Sequence, residues 1–289
     1  MEAATVRFTE HRGLLYAVAY RLLGSVADAQ DVVQEAWLRW SRVDTDTVED
    51  AEGYLVRVTT RLAIDRLRSA AVRRESYVGP WLPEPMLTTP DTADHVVQAD
   101  DVSTAVLLVL ESLSPIERAV FVLHEAFGYS YSDIAGILGR QVPAVRQLAH
   151  RARTAVAARR RRYDTDRATQ RQVTEQFLAA SMDGDVEALM AVLAPDVTLI
   201  SDGGGLTGAP RKPIHGPLYV ARAFVVLSGR RPAGSSVGIE ELNGAPGLVV
   251  RSADGPVLAV TLHLVDGGVH TLHVVSNPTK LTGLMSHPA

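Results

Sequence analysis

The stretch from Leu113 to Arg153 constrains this chain more than any other, because its spacing suits two short helices that cross at a fixed turn. Within YSDIAGILGRQVPAVRQLAHRAR, Ala135, Gly139, Val145 and Leu148 stand at offsets 0, 4, 10 and 13. They supply a small residue at the crossing, a turn glycine and two apolar anchors on the second helix, as a helix-turn-helix requires. Ile134, Ala135, Ile137 and Leu138 make the first helix amphipathic, and Gly139 can adopt the left-handed conformation that closes it. Pro143 fits the first turn of the next helix, where no amide donor is lost. Val145, Leu148 and Ala152 then pack inward and leave Arg146, Gln147, His150, Arg151 and Arg153 facing outward. Arginine and glutamine make paired hydrogen bonds to purine edges, and arginine also grips phosphate. Between residues 141 and 163 there are seven arginines and no acid, which favours DNA over a merely solvated basic helix.

A chain of 289 residues with 46% hydrophobic content can hold two or three domains with cores. Cysteine is absent, so disulfides and thiolate metal sites are excluded. No metal cluster, nucleophile triad or dinucleotide fingerprint is present in the first 160 residues, and no cofactor or metal is expected. Apolar runs stop well short of the roughly 20 residues of a bilayer crossing and no secretory signal is visible, so the reading is cytoplasmic, with no membrane partner. The net charge of -4 hides two arginine blocks, residues 57–74 and 146–162. Between Glu75 and Glu117 lysine and arginine are missing, while Glu84, Asp91, Asp94, Asp100, Asp101 and Glu111 intervene. Local fields of alternating sign matter more here than the total.

Residues 6–74 read as three or four helices. From Asp28 to Arg42, Val33, Ala36, Trp37 and Trp40 share one face, and Asp31, Gln34, Glu35 and Leu38 the opposite, mixed acidic and apolar one. A helix from about Asp50 to Ala70 carries Arg57, Arg61 and Arg68 along a stripe, with Asp65 nearby. That stripe is either a second nucleic-acid contact or a set of ion pairs with Asp65 and the acids of a neighbouring helix; pattern alone does not choose. The proline-rich, acidic segment after it reads as a linker, but WLPEP at 81–85 is too apolar for free solvent and is expected to dock, with Trp81 as anchor. A second helical unit follows. Beyond Asp166 come helices at about Arg167 to Met182 and Asp185 to Leu193, a strand Val197 to Ile200, and a helix near Tyr219 to Leu227. Strands at Gly247 to Ser252, Val257 to Asp266 and Val269 to Ser276, joined by Asp-Gly turns, form an antiparallel meander. Helices followed by such a curled sheet give a cone-shaped α+β domain.

The phrases DAQDVVQEAWLRW, YLVRVTTRLAIDRLR and LSPIERAVFVLHEAFGYSYSDIAGILG resemble the bacterial extracytoplasmic-function σ factors, whose two-domain plan the first 160 residues match throughout. The remainder is similar to a SnoaL-like domain found fused to one subgroup of these factors. WLPEP at 81–85, DGGG at 202–205 and NPTKL at 277–281 resemble that subgroup's three hallmarks, the last usually written with aspartate where Thr279 stands. The resemblance implies a multidomain chain: σ2 over 1–75, an acidic linker over 76–101, σ4 with its helix-turn-helix over 102–163, and an α+β SnoaL-like cone over 164–289.

It implies roles as well. Asp31, Gln34, Glu35 and Leu38 would meet the β′ clamp helices of core RNA polymerase, with the β flap as a further polymerase contact. Arg57, Arg61, Asp65 and Arg68 would lie along the −10 element, and the loop at about Asp44 to Asp50 would capture an unstacked base. Arg146, Gln147, His150, Arg151 and Arg153 would enter the −35 major groove. The acidic linker would follow the path later taken by nascent RNA. The C-terminal domain would regulate in cis in place of a separate anti-σ protein. Trp81, Leu82, Pro83, Glu84 and Pro85 would pack near Asp202, Gly203, Gly204 and Gly205, and near Asn277, Pro278, Lys280 and Leu281. Because related cones serve as cyclases and isomerases, Asp202, His215, His263, His270 and His273 are weighed as catalytic groups, though none is assigned a catalytic role. His270 and His273 have opposite parity and should face opposite sides of a regular strand. Alternatives are a metabolite-sensing or enzymatic domain controlling a DNA-binding regulator, with a small molecule in the cone, and a repressor that reads duplex DNA alone.

Overall fold

The structure, a computed structural model, describes residues 2–74, 76–88, 104–160 and 166–285. The described residues divide into two compact units: residues 2–74 and 106–159 form one, and residues 76–88, 104–105, 160 and 166–285 the other.

The first unit begins with α1 (Glu2–Leu23), α2 (Val26–Trp40) and α3 (Ala51–Arg74). Ser25 caps α2 by accepting the Asp28 amide at 3.1 Å, and Asp28 adds an acid to the positive end of the helix. Val33, Ala36 and Trp40 are buried, and the Trp40 indole donates to the Ala4 carbonyl at 2.8 Å. This satisfies the one polar atom of the largest fully buried side chain. After α4 (Thr104–Leu110), α5 (Pro115–Phe121) starts at a capping box between Ser114 and Glu117 and runs on through a π-helical turn, Val122–Ala126. A second capping box, Ser130 with Asp133, opens α6 (Tyr131–Leu138), which Gly139 closes at φ 64°. The helix α7 (Val142–Arg160) holds Val145, Leu148 and Ala152 in the core.

The two helical halves of this unit pack on each other, α3 against α5 and α6. Arg118 on α5 is buried and donates to the Leu22 carbonyl at 2.7 Å and to Glu111 at 2.8 Å. Burial lowers its pKa to about 10, still high enough to keep it charged at neutral pH.

The second unit contains α8 (Arg167–Asp183), α9 (Val186–Val192), β1 (Leu193–Asp202), β2 (Ile214–His215), α10 (Pro217–Gly229), β3 (Ser236–Leu242), β4 (Ala245–Ser252), β5 (Gly255–Val265) and β6 (Gly268–Val275). The sheet order is β2-β1-β6-β5-β4-β3. Strands β3 to β6 are the antiparallel meander that the turn residues indicate, but β1 joins β6 in parallel, so the sheet is mixed. The helices pack on one face, where Phe177 and Phe224 meet edge to face at 4.7 Å over Val197, Val260 and Leu272. Two strands, β2 and β3, were not delimited from sequence. A signal for β3 exists in Asn243-Gly244, both at positive φ, 50° and 75°, which is the hairpin turn of type I′. The fold is thus all-α in the first unit and α+β in the second.

Candidate DNA-binding faces and the Asp202 centre

On α7, Arg146, Gln147, His150, Arg151 and Arg153 are all exposed. Arg151 pairs with Glu117 at 3.0 Å and Arg153 with Glu125 at 2.6 Å, so the later turns of the helix are tethered to α5 and its π-helical turn. Arg146, Gln147 and His150 lie on the earlier turns, with polar ends in water. This suits an element whose first turns approach base edges.

The α3 stripe is less open. Arg61 donates Nε to the Ile137 carbonyl at 2.9 Å, at the end of α6. Arg68 pairs with Asp65 at 3.1 Å, both exposed, and Arg57 lies 5.3 Å from the Tyr54 ring centroid. The acids of the neighbouring helix are taken by Arg66 instead, a residue outside the predicted stripe, which binds Asp28 at 2.7 Å and Asp31 at 2.8 Å. On α2, Asp31, Gln34, Glu35 and Leu38 are exposed; Leu38 is 48% exposed, and Glu35 pairs with Arg39 at 2.7 Å.

The densest polar centre belongs to the second unit. Asp202, at the end of β1, is 1% exposed and accepts from the Tyr77 hydroxyl at 2.6 Å, the Leu82 amide at 2.8 Å, the Gly204 amide at 3.1 Å and Lys280 Nζ at 2.6 Å. Lys280 also donates to the Leu82 carbonyl at 2.6 Å and stands 4.1 Å from the Trp81 ring centroid. Asn277 donates to the Tyr77 oxygen at 2.9 Å and uses its own carbonyl to cap the turn of Pro278–Lys280. Burial first, then the bond to Asp202, pushes the Tyr77 hydroxyl above its ordinary range, so it remains a donor.

The glycines of DGGG follow from this crowding. Gly204 has φ 59°, and a Cβ there would collide with the Asn277 amide; at Gly205, φ 74°, it would stand 3.0 Å from Val78 Cβ. At Gly203 it would strike the Thr207 hydroxyl. WLPEP lies in this centre, with Leu82, Pro83, Glu84 and Pro85 buried. The anchor is Leu82, 2% exposed, rather than Trp81, which stays half-buried because its ring face serves the Lys280 ammonium. Leu281 is buried and Pro278 exposed. The segment continues as a β-bridge from Leu87 to Leu242, and the Met86 amide donates to the Asn243 side chain at 2.7 Å. Sequence reasoning missed Tyr77 and Asn243. Tyr77 left no local signal, while Asn243 was visible as the hairpin turn.

The weighed catalytic groups are scattered. His215 is exposed beside Thr198, and His270 pairs with Asp196 at 2.9 Å. His263 and His273 are buried, rings 4.6 Å apart. Among the described residues none of these borders the cavity of the second unit. Of the linker acids, Glu84 is buried and Glu111 is paired with Arg118, whereas Asp91, Asp94, Asp100 and Asp101 fall outside the described residues.

Comparison with known proteins gives the family of the chain. Residues 7–73 match the model of Sigma-70 region 2 and residues 103–156 that of Sigma-70 region 4. ECF RNA polymerase sigma factor SigJ of Mycobacterium tuberculosis is 39% identical over 292 residues, 96% of this chain and 92% of that protein. The chain belongs to the ECF RNA polymerase sigma factors. Probable ECF RNA polymerase sigma factor SigI of the same species is 36% identical over 282 residues, 95% of this chain and 93% of that one. The crystal structure of the M. tuberculosis extracytoplasmic function sigma factor SigJ overlays with a TM-score of 0.74 at 35% identity, covering 98% of this chain and 99% of that chain. In this sigma factor, α1 to α3 carry region 2 and α5 to α7 lie in region 4.

Proposed function

We propose that this sigma factor binds core RNA polymerase through Asp31, Gln34, Glu35 and Leu38 on α2, places Arg57, Arg61, Asp65 and Arg68 along the −10 element, and reads the −35 element with Arg146, Gln147, His150, Arg151 and Arg153. The division into 1–75, 76–101, 102–163 and 164–289 is part of the same reading. The protein acts in the cytoplasm, where core polymerase and promoter DNA are its partners. No helix among the described residues is long and apolar enough to cross a membrane. The second unit regulates in cis, performs no catalysis and makes a separate anti-sigma protein unnecessary.

The observation that carries the regulatory part is the Asp202–Lys280 pair gripping both backbone groups of Leu82. Residues 76–88 are the chain that leaves region 2 on the way to region 4. Fixing that chain to the SnoaL-like domain by a buried ion pair restricts how far the two DNA-reading regions can separate. A conventional duplex-reading repressor has no use for such a brace. The test is run-off transcription with purified core RNA polymerase on a randomised promoter library, comparing the full chain with Asp202→Asn. We expect product from both, with altered yield or promoter choice in the variant. Product unchanged in both respects would remove the cis-regulatory role, and no product from either would remove the sigma assignment of these faces.

A further inference from the structure

Apart from the Asp202 centre, the second unit holds a cavity of about 510 Å³. That volume lies within the ~300–1,000 Å³ of small-molecule sites. Its walls are apolar side chains of the sheet and of α10, among them Leu199, Leu258, Val274 and Val226. Ser201, Thr207 and Ser276 also line it, and the hydroxyls of the last two bond each other at 2.9 Å. No carboxylate borders it among the described residues, and its charged lining consists of Arg222, Arg230 and Arg231.

The arginines divide into two kinds. Arg231 is committed to the Ser228 carbonyl at 2.9 Å and to Met182 sulfur at 2.8 Å. The guanidinium groups of Arg222 and Arg230 make no ion pair or hydrogen bond among the described residues. Arg222, Val226 and Arg230 recur every four residues, so they share one face of α10 and its C-cap, the face that borders the cavity. Arg230 could be assigned to the negative end of the helix dipole, but Arg222 sits mid-helix, beyond its reach. An apolar chamber with unneutralised guanidinium groups at its edge selects a ligand with one anionic end and an apolar body.

We propose that the cavity binds an apolar monocarboxylate, its hydrocarbon among Leu199, Leu258 and Val274 and its carboxylate at Arg222 and Arg230. Ser201 and Ser276 line the cavity and directly adjoin Asp202 and Asn277 in the chain, so the occupied wall is continuous with the brace around Leu82. The binding claim itself does not depend on the sigma or regulatory reading.

The test is isothermal titration of the full-length protein with decanoate and 2-naphthoate, and with decyltrimethylammonium as a cation of matched chain. At least one carboxylate should bind in 1:1 stoichiometry, tenfold or more tighter than the cation. The double variant Arg222→Gln/Arg230→Gln should lose at least tenfold for the carboxylate, about what one or two charge-assisted hydrogen bonds supply. Ala223→Phe, at a lining position, should abolish binding of either carboxylate. No binding of either carboxylate up to millimolar concentration overturns the proposal. So does equal affinity for anion and cation, or full carboxylate affinity in the arginine double variant, whose exposed substitutions leave the core intact.

Discussion

Two groups of charges in this protein work in opposite ways. Around Asp202, two side chains that are 0% and 7% exposed satisfy each other and the backbone of Leu82, and nothing from outside is needed. On α7, Arg146 stands exposed to solvent beside the exposed Gln147 and His150. A buried charge holds structure because leaving it unpaired is costly; an exposed one contributes little to folding and is free to act in binding. Charge alone therefore does not say what a residue is for.

The largest way to break this comparison is Asp202→Ala. Lys280 would keep its buried ammonium with no carboxylate, which costs about 3–5 kcal/mol. We expect denaturant unfolding followed by tryptophan fluorescence to register that loss, and the pair Asp202→Leu/Lys280→Met to lose less than Asp202→Ala alone. A loss below 1 kcal/mol in Asp202→Ala would mean the centre is not a brace.

A buried but neutral pair sharpens the same contrast. Burial lowers His263 to about 4 and His273 well below its ordinary 6.5, the latter also through its neighbour. The folded state therefore binds fewer protons than the unfolded state below pH 6.5. Stability is fully present above that value and falls as the pH drops towards 4, by about 3 kcal/mol for His263 alone at 1.36 kcal/mol per unit. Unfolding midpoints at pH 7.5 and 4.5 should differ accordingly, and His263→Leu should flatten the difference. On α7 the opposite holds. Arg146→Ala should weaken promoter binding by about 1–3 kcal/mol and reduce its salt dependence, with the unfolding midpoint unmoved.

The helix-turn-helix was legible because its determinants are local: Gly139, the offsets from Ala135 to Leu148 and the capping residues all lie within one stretch. The meander was legible from its Asp-Gly turns, and β3 could have been read from Asn243-Gly244. The parallel pairing of β1 with β6 was not, since the two strands are some 70 residues apart in sequence and no turn joins them. The hallmark segments around Asp202 were named by resemblance, but their bonding was hidden: Tyr77 to Asp202 spans 125 residues, and Lys280 to Leu82 spans 198. The same distance effect decided the α3 stripe. Arginine spacing cannot tell which guanidinium meets a carbonyl, so Arg61 went to Ile137, and Arg66 rather than the stripe took the acids of α2.

Arg61 is the residue in which the two behaviours meet, and its effect should be the smallest. Its side chain is exposed like those of α7, yet its Nε is held by the Ile137 carbonyl across the contact of α3 with α6. A partly solvated bond of this kind is worth about 0.5–1.5 kcal/mol, so Arg61→Ala should lower the unfolding free energy by no more than that. The informative readout is local. Amide exchange from Ile134 to Gly139 should quicken severalfold if the bond fastens the end of α6 to region 2, with exchange in the core of α1 unchanged. Unchanged exchange in α6 would place Arg61 with Arg146, as a charge that contributes nothing to the fold.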